Sequence, residues 1–255
     1  MNRRSLVAAC AIIMAFGMAK LNFEQRLTEE HHKAFFHGAK LNLDLRQQIG
    51  QMAFLAALSG FRSVVADLLF IQAHSAWEHV EWGRVALLLD QVTALAPRNV
   101  LYWDSAGWHM AWNASVAARY DKTEPRETLR IKREREYIKL GEDFILRGIQ
   151  NNPDRYNLYE RLGMIYRDKL QDHCKAADAF ERGSRTEKAP EYEKRMAAYE
   201  LAQCPGRERE AYDKMRALYQ MGEQERLPSV IKWLSILQEK LNIPLEQRLT
   251  LPDKP

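Results

Sequence analysis

The chain is poor in the residues from which chemistry is usually read. Its 3 cysteines in 255 residues cannot knit a disulfide scaffold, although one bridge stays open. With only 12 glycines and 9 prolines it is neither collagenous, disordered nor a loop-rich β protein. The 38 basic residues exceed the 34 acidic ones by a net charge of +4, too small a surplus to demand a nucleic-acid partner. No phosphate loop, dinucleotide fingerprint, nucleophile elbow or zinc-protease motif occurs, and no Cys-x-x-Cys-His that would hold haem. The 7 histidines do not make up the deficit. His31, His32 and His37 cluster near the start, while His74 and His79 flank Trp77. A five-residue separation on a helix turns two side chains about 140° apart, which is not a ligand pair. Neither a metal nor a cofactor is expected.

What is present is apolar and helical. Hydrophobic residues make up 46% of the chain and charged ones 28%, enough for a substantial core in one or two domains. After Arg3 and Arg4, an uninterrupted apolar run extends from Leu6 to Ala19 and stops at Lys20. Its length of roughly 15 residues lies between a signal-peptide core and a spanning helix. The positive-inside rule favours an uncleaved anchor, whereas Gly17-Met18-Ala19 offers signal peptidase a small-x-small site. The expectation is therefore a signal anchor or signal peptide over 1–21, a polar, His-rich tether over 22–48 and a helical domain over 49–255. This places the domain in the periplasm, held by a single pass in a bacterial inner membrane, or secreted if the leader is cleaved.

The second most apolar region runs from Met52 to Ala73 and contains Arg62 and Asp67. Charges at mid-bilayer are expensive, so it reads as a buried first helix of the domain, broken near Ser59-Gly60. The competing reading is a membrane- or partner-facing helix that places Arg62.

From Trp77 onward the periodicity is helical almost throughout. Leu87, Val92 and Leu95 share a face, Pro97 closes that helix, and the next one presents Trp103, Ala106, Gly107 and Met110. The pattern returns at Pro153, Tyr159 and Gly163, 56 residues further on. A bulky anchor and a glycine notch four residues apart let a neighbouring helix approach closely. Lys175 to Gly183 supplies the second helix of that unit, residues 191–203 and 207–219 form a degenerate pair, and Pro228 to Leu241 caps the array.

These residues resemble the tetratricopeptide repeat (TPR), a helix-turn-helix unit of 34 residues. The resemblance covers roughly residues 73 to 221. Together with the apolar start and the Gly60-to-Phe70 stretch, it is similar to an uncharacterised group of bacterial membrane-anchored repeat proteins. It implies an all-α, TPR-like right-handed α-solenoid with an N-terminal hydrophobic helix, in which Trp103, Gly107, Tyr159, Gly163, Pro97 and Pro153 are packing residues. The 56-residue interval exceeds the family's period, and the excess falls between Asn113 and Ile138.

Repeats of this kind bind rather than catalyse. The expected role is a non-catalytic scaffold that grips a helix or extended segment of a partner protein. Alternatives are an accessory subunit of a membrane complex and a helical glycan-processing enzyme. Of the 6 tryptophans, Trp77, Trp82, Trp103, Trp108 and Trp112 fall within 36 residues. Trp108 and Trp112 are helical neighbours, and with His109 and Asn113 they could either pack or line an exposed stripe. The run from Arg126 to Lys139 holds six basic and three acidic residues. It reads as a solvated helix face, with an acidic partner or anionic headgroup as the alternative. The partner-binding candidates are Trp108, Trp112, Asn113, Arg130, Arg133 and Arg62. Cys174 opens one helix and Cys204 closes the next, so antiparallel stacking brings them to one edge. They are read as a bridge or as two free thiols.

Overall fold

The computed structural model describes residues 61–252, all of them inside one unit, Lys40–Pro255. Ten α-helices follow in order, and there is no strand among the described residues. Helix α1 (Arg62–Glu78) turns back into α2 (Trp82–Leu95). Helix α3 (Val100–Trp108) runs through a π-helical turn (His109–Ala114) into α4 (Ser115–Arg119), and α5 (Glu127–Asn151) returns along them. Helix α6 (Tyr156–Met164), prolonged by a second π turn (Ile165–Lys169), pairs with α7 (His173–Ser184). Then α8 (Tyr192–Ala202) pairs with α9 (Glu208–Gln220), and α10 (Pro228–Lys240) closes the series.

The first pair forms because α1 offers Ala66, Leu69, Ala73 and Ala76 at helical spacing, all buried, to the apolar face of α2. Their connection is a Schellman turn: the Glu81 amide donates to the Ala76 carbonyl across Val80. Val80 must adopt φ 62° there, a left-handed conformation unfavourable for a β-branched residue. The same motif after α10 uses Asn242 at φ 49°.

The next two pairs repeat each other side chain by side chain. The Trp103 indole N–H donates to the Pro97 carbonyl at 2.9 Å, and the Tyr159 hydroxyl donates to that of Pro153 at 3.1 Å. Each aromatic thus locks the turn that precedes its own helix. Gly107 lies under Ile145, and Gly163 under the Phe180 ring. A Cβ would stand 2.4 Å from Ile145 Cδ1 in the first case and 2.7 Å from Phe180 Cζ in the second. Helices approach that closely only at glycine. The interval's excess over 34 residues is not an inserted loop. Most of it is taken up by α4 and by the length of α5, which has 25 residues where α7 has 12, and the rest by a slightly longer connection between them.

Two cores result. One runs from α1 to α8 and the other from α7 to α10. Helices α7 and α8 serve both, since Ala176 and Ala197 face the first while Ala177 and Ala198 face the second. The disulfide Cys174–Cys204 crosses this seam, joining positions 30 residues apart.

The fold class and location expected from the sequence need correction. Among the described residues no helix is long and apolar enough to cross a membrane. Helix α1 has 17 residues and carries Arg62, Asp67 and Glu78, and α5 is charged on nearly every turn. The N-terminal hydrophobic helix, the single-pass inner-membrane location and the membrane as partner are therefore withdrawn. The segments on which they and the signal-peptide alternative rested, 1–21 and the tether 22–48, lie outside the described residues. So do residues 52–60 of the expected first helix. The remainder, α1, is only half buried, with Phe61, Val64, Leu68 and Ile71 exposed along one stripe.

Candidate interaction face

The end of α3 and its π turn bring two tryptophans to the surface, Trp108 exposed and Trp112 partly so. One side of the turn is anchored by Met110, Ala111 and Ala114, all buried. Helix α5 presses against it so closely that a Cβ on Gly141 would meet the Ala111 amide nitrogen at 2.8 Å. The Ser115 hydroxyl donates to the Ala111 carbonyl at 2.6 Å, satisfying a group that the widened turn releases. With that side fixed, Trp108, His109, Trp112 and Asn113 are left partly or largely accessible. Trp108 is 39% exposed.

His109 organises the group. Its ring lies 5.0 Å from the Trp108 ring and 5.5 Å from that of Trp77, which in turn lies 5.0 Å from His74. Asn113 Nδ2 sits 3.1 Å from His109 Nδ1. Burial, and then the neighbouring His74, hold the His109 pKa below the ordinary imidazole value. The ring is therefore neutral at pH 7 and accepts from Asn113.

Trp112 is covered by two cations from α6 and its π turn. Arg161 Cζ and Lys169 Nζ each lie 5.5 Å from its ring centroid, within cation–π range. Arg161 is held there by two hydrogen bonds to Asp104, at 2.6 and 3.0 Å, across 57 residues. Lys169 forms no ion pair within 4 Å among the described residues; burial lowers its pKa and outweighs the Glu134 and Asp168 charges, which raise it. The arrangement joins an indole face, an unpaired ammonium and an amide within one patch.

The other sequence candidates lie elsewhere. The Arg62 guanidinium donates to the Ala94 carbonyl at the end of α2, 3.4 Å away. Arg130 donates to the Glu124 carbonyl at 3.0 Å, and Arg133 pairs with Asp121 at 3.5 Å and Glu124 at 3.6 Å. These two pin the loop before α5, and Glu124 within it is buried. The packing residues Trp103, Gly107, Tyr159, Gly163, Pro97 and Pro153 occupy the turns and close approaches already described. Arg161 and Lys169 were missed from the sequence. The 56-residue interval could have found Lys169, which occupies the position in its unit that Asn113 holds in the preceding one.

Two other features are poorer candidates. An open depression on α9 is lined by Arg207, Arg209, Glu210, Asp213 and Lys214, but these charges are paired with one another or with Asp178 and Glu181. Among the described residues no three His, Cys, Asp or Glu side chains are placed to hold a metal ion. No protein-family model matches the chain, and no curated protein matches it either.

Proposed function

We propose that residues 61–252 form a non-catalytic binding module of the tetratricopeptide type, which takes a helix or extended segment of a partner protein. The repeated Trp103–Pro97 and Tyr159–Pro153 hydrogen bonds and the paired glycine contacts support the repeat reading. One observation carries the binding reading: the half-buried Trp112 indole lies beneath Arg161 and the unpaired Lys169, beside the exposed Trp108. A rigid aromatic gives contact area at small entropic cost, and such residues dominate binding energies. A partly desolvated ammonium with no ion pair among the described residues favours a carboxylate beside an apolar side chain. The segment that fits is therefore apolar and acidic.

The test is selection of peptides from a random library on the purified domain, followed by affinity measurement against variants. Enriched peptides should combine acidic and apolar residues. Trp112→Ala should weaken them at least tenfold, about 1.4 kcal/mol, and Lys169→Gln should erase the acidic preference. Arg216→Ala, on the exposed face of α9, should change nothing. The reading fails if no peptide is enriched, or if the enriched peptides bind Trp112→Ala as well as the wild type.

A further inference from the structure

The seam between α7 and α8 holds a group that neither the packing nor the binding face explains. Glu193, in the first turn of α8, is 0% exposed, and neither carboxylate oxygen has a hydrogen-bond partner among the described residues. Its Oε2 fits into the space left by the missing side chain of Gly183 on α7, 3.3 Å from where a Cβ would be. No cation faces it. From α6 it meets Glu160, whose carboxylate accepts a hydrogen bond from the Tyr192 hydroxyl at 3.0 Å. Tyr156 and Tyr159 of α6 border the same space. The one guanidinium nearby on α7, Arg182, lies over the Tyr159 ring at 5.0 Å. On α8 itself, Lys194 is paired with Glu191 at 2.9 Å, and Arg195 with Glu225 at 2.7 Å.

The opposite end of the seam is built differently. There α7 begins and α8 ends, and the two are joined by the Cys174–Cys204 disulfide and by His173 against Glu200 at 2.7 Å. One end is covalent, and the other is closed around a carboxyl that cannot be ionised there without an unpartnered buried charge.

We propose that the α7–α8 seam is a proton-controlled hinge, pinned by the Cys174–Cys204 disulfide and held shut at its other end by the neutral carboxyl of Glu193. Burial, reinforced by the Glu160 charge, pushes the Glu193 pKa up to about 8. In an opened seam the carboxyl returns to an ordinary value of about 4.3. The closed form binds the proton more tightly, so closure is strongest at low pH. It weakens as pH rises between those two values and changes no further above the higher one. Because the seam divides the two cores, opening frees the start of α8 from α6 and α7 while the disulfide keeps α8 attached. The inference is independent of the binding reading, since it involves neither Trp112 nor Lys169.

Hydrogen exchange of the full chain, expressed as protection factors for the amides of residues 194–198, tests it. In the oxidised wild type, protection should fall close to tenfold per unit between pH 5 and 8 and then level off, while residues 201–202 stay protected. Glu193→Gln should abolish the pH dependence. Glu193→Met, an apolar replacement of similar length, should do the same and serves if the glutamine variant does not fold. Glu160→Gln should bring the plateau to lower pH by removing the like charge. Cys174→Ala/Cys204→Ala should let the opening spread to residues 201–202. Protection in the wild type that is independent of pH overturns the proposal. So does a pH dependence that survives both Glu193 variants, or an opening that already reaches residues 201–202 with the disulfide intact.

Discussion

Reducing the Cys174–Cys204 bridge is the perturbation whose magnitude follows most directly from the structure. The bond closes a loop between positions 30 residues apart. In the chain-entropy treatment, a cross-link over that length withholds about 12 cal/mol/K from the unfolded chain, or about 3.6 kcal/mol at 25 °C. Both sulfurs sit against the second core, Cys204 only 2% exposed and Cys174 partly buried. Reduction removes a constraint there without opening a large cavity, so the entropic part should dominate. With a urea m-value of about 2 kcal/mol per molar, reasonable for a domain of this size, the midpoint should fall by about 1.8 M on adding reductant. Cys174→Ala/Cys204→Ala should behave like the reduced wild type. The measurement is tryptophan fluorescence and circular dichroism against urea, in matched oxidised and reduced samples. Trp233 reports on the second core and the tryptophans of α1 to α3 on the first. Coincident midpoints, within about 0.3 M, for oxidised and reduced protein would refute the reasoning, because the cross-link would then constrain nothing that unfolding releases.

Three further outcomes are expected. Gly163→Ala should lower stability by about 2 kcal/mol, the price of overpacking against the buried Phe180 ring, and Phe180→Leu should restore part of the loss in a double-mutant cycle by chemical denaturation. Val80→Asn should raise stability by about 1 kcal/mol, seen as a higher Tm, because asparagine tolerates the left-handed turn that valine resists. Acidification should destabilise the first core through His109. Its folded pKa is depressed, so its contribution is present above the ordinary imidazole value of about 6.5 and is lost as pH falls through the lower folded value. His109→Gln should flatten that part of a plot of urea midpoint against pH.

How far the sequence was legible depended on the range of the interaction involved. Pro97, Trp103 and Gly107, echoed by Pro153, Tyr159 and Gly163, act within a turn or a helix pair, and their spacing announced the helices and where they meet. The π turns were not visible, because a one-residue widening leaves the periodicity almost unchanged over so short a span. Nor could the sequence separate an inserted loop between Asn113 and Ile138 from a longer helix, since the charged run after Arg126 fits either. The arginines were read by exposure alone. Arg130 and Arg133 instead hold the loop that contains Glu124, and Arg161 reaches Asp104 across 57 residues. Such pairings require the tertiary arrangement. The membrane anchor rested on composition at the extreme N-terminus, and no described helix supports it.

The bridged seam also has a mechanical meaning. Pulled from its ends, a stack of helix pairs would pay out its contour unit by unit, as nearest-neighbour coupling dictates. Here the stretch between Cys174 and Cys204, about 100 Å of extended chain at roughly 3.4 Å per residue, cannot be paid out while the bond is intact. Tension then passes through two sulfur atoms at the edge of the second core, bypassing most of α7 and all of α8. The two helices that divide their contacts between the cores are thus shielded from the load while the bond is intact.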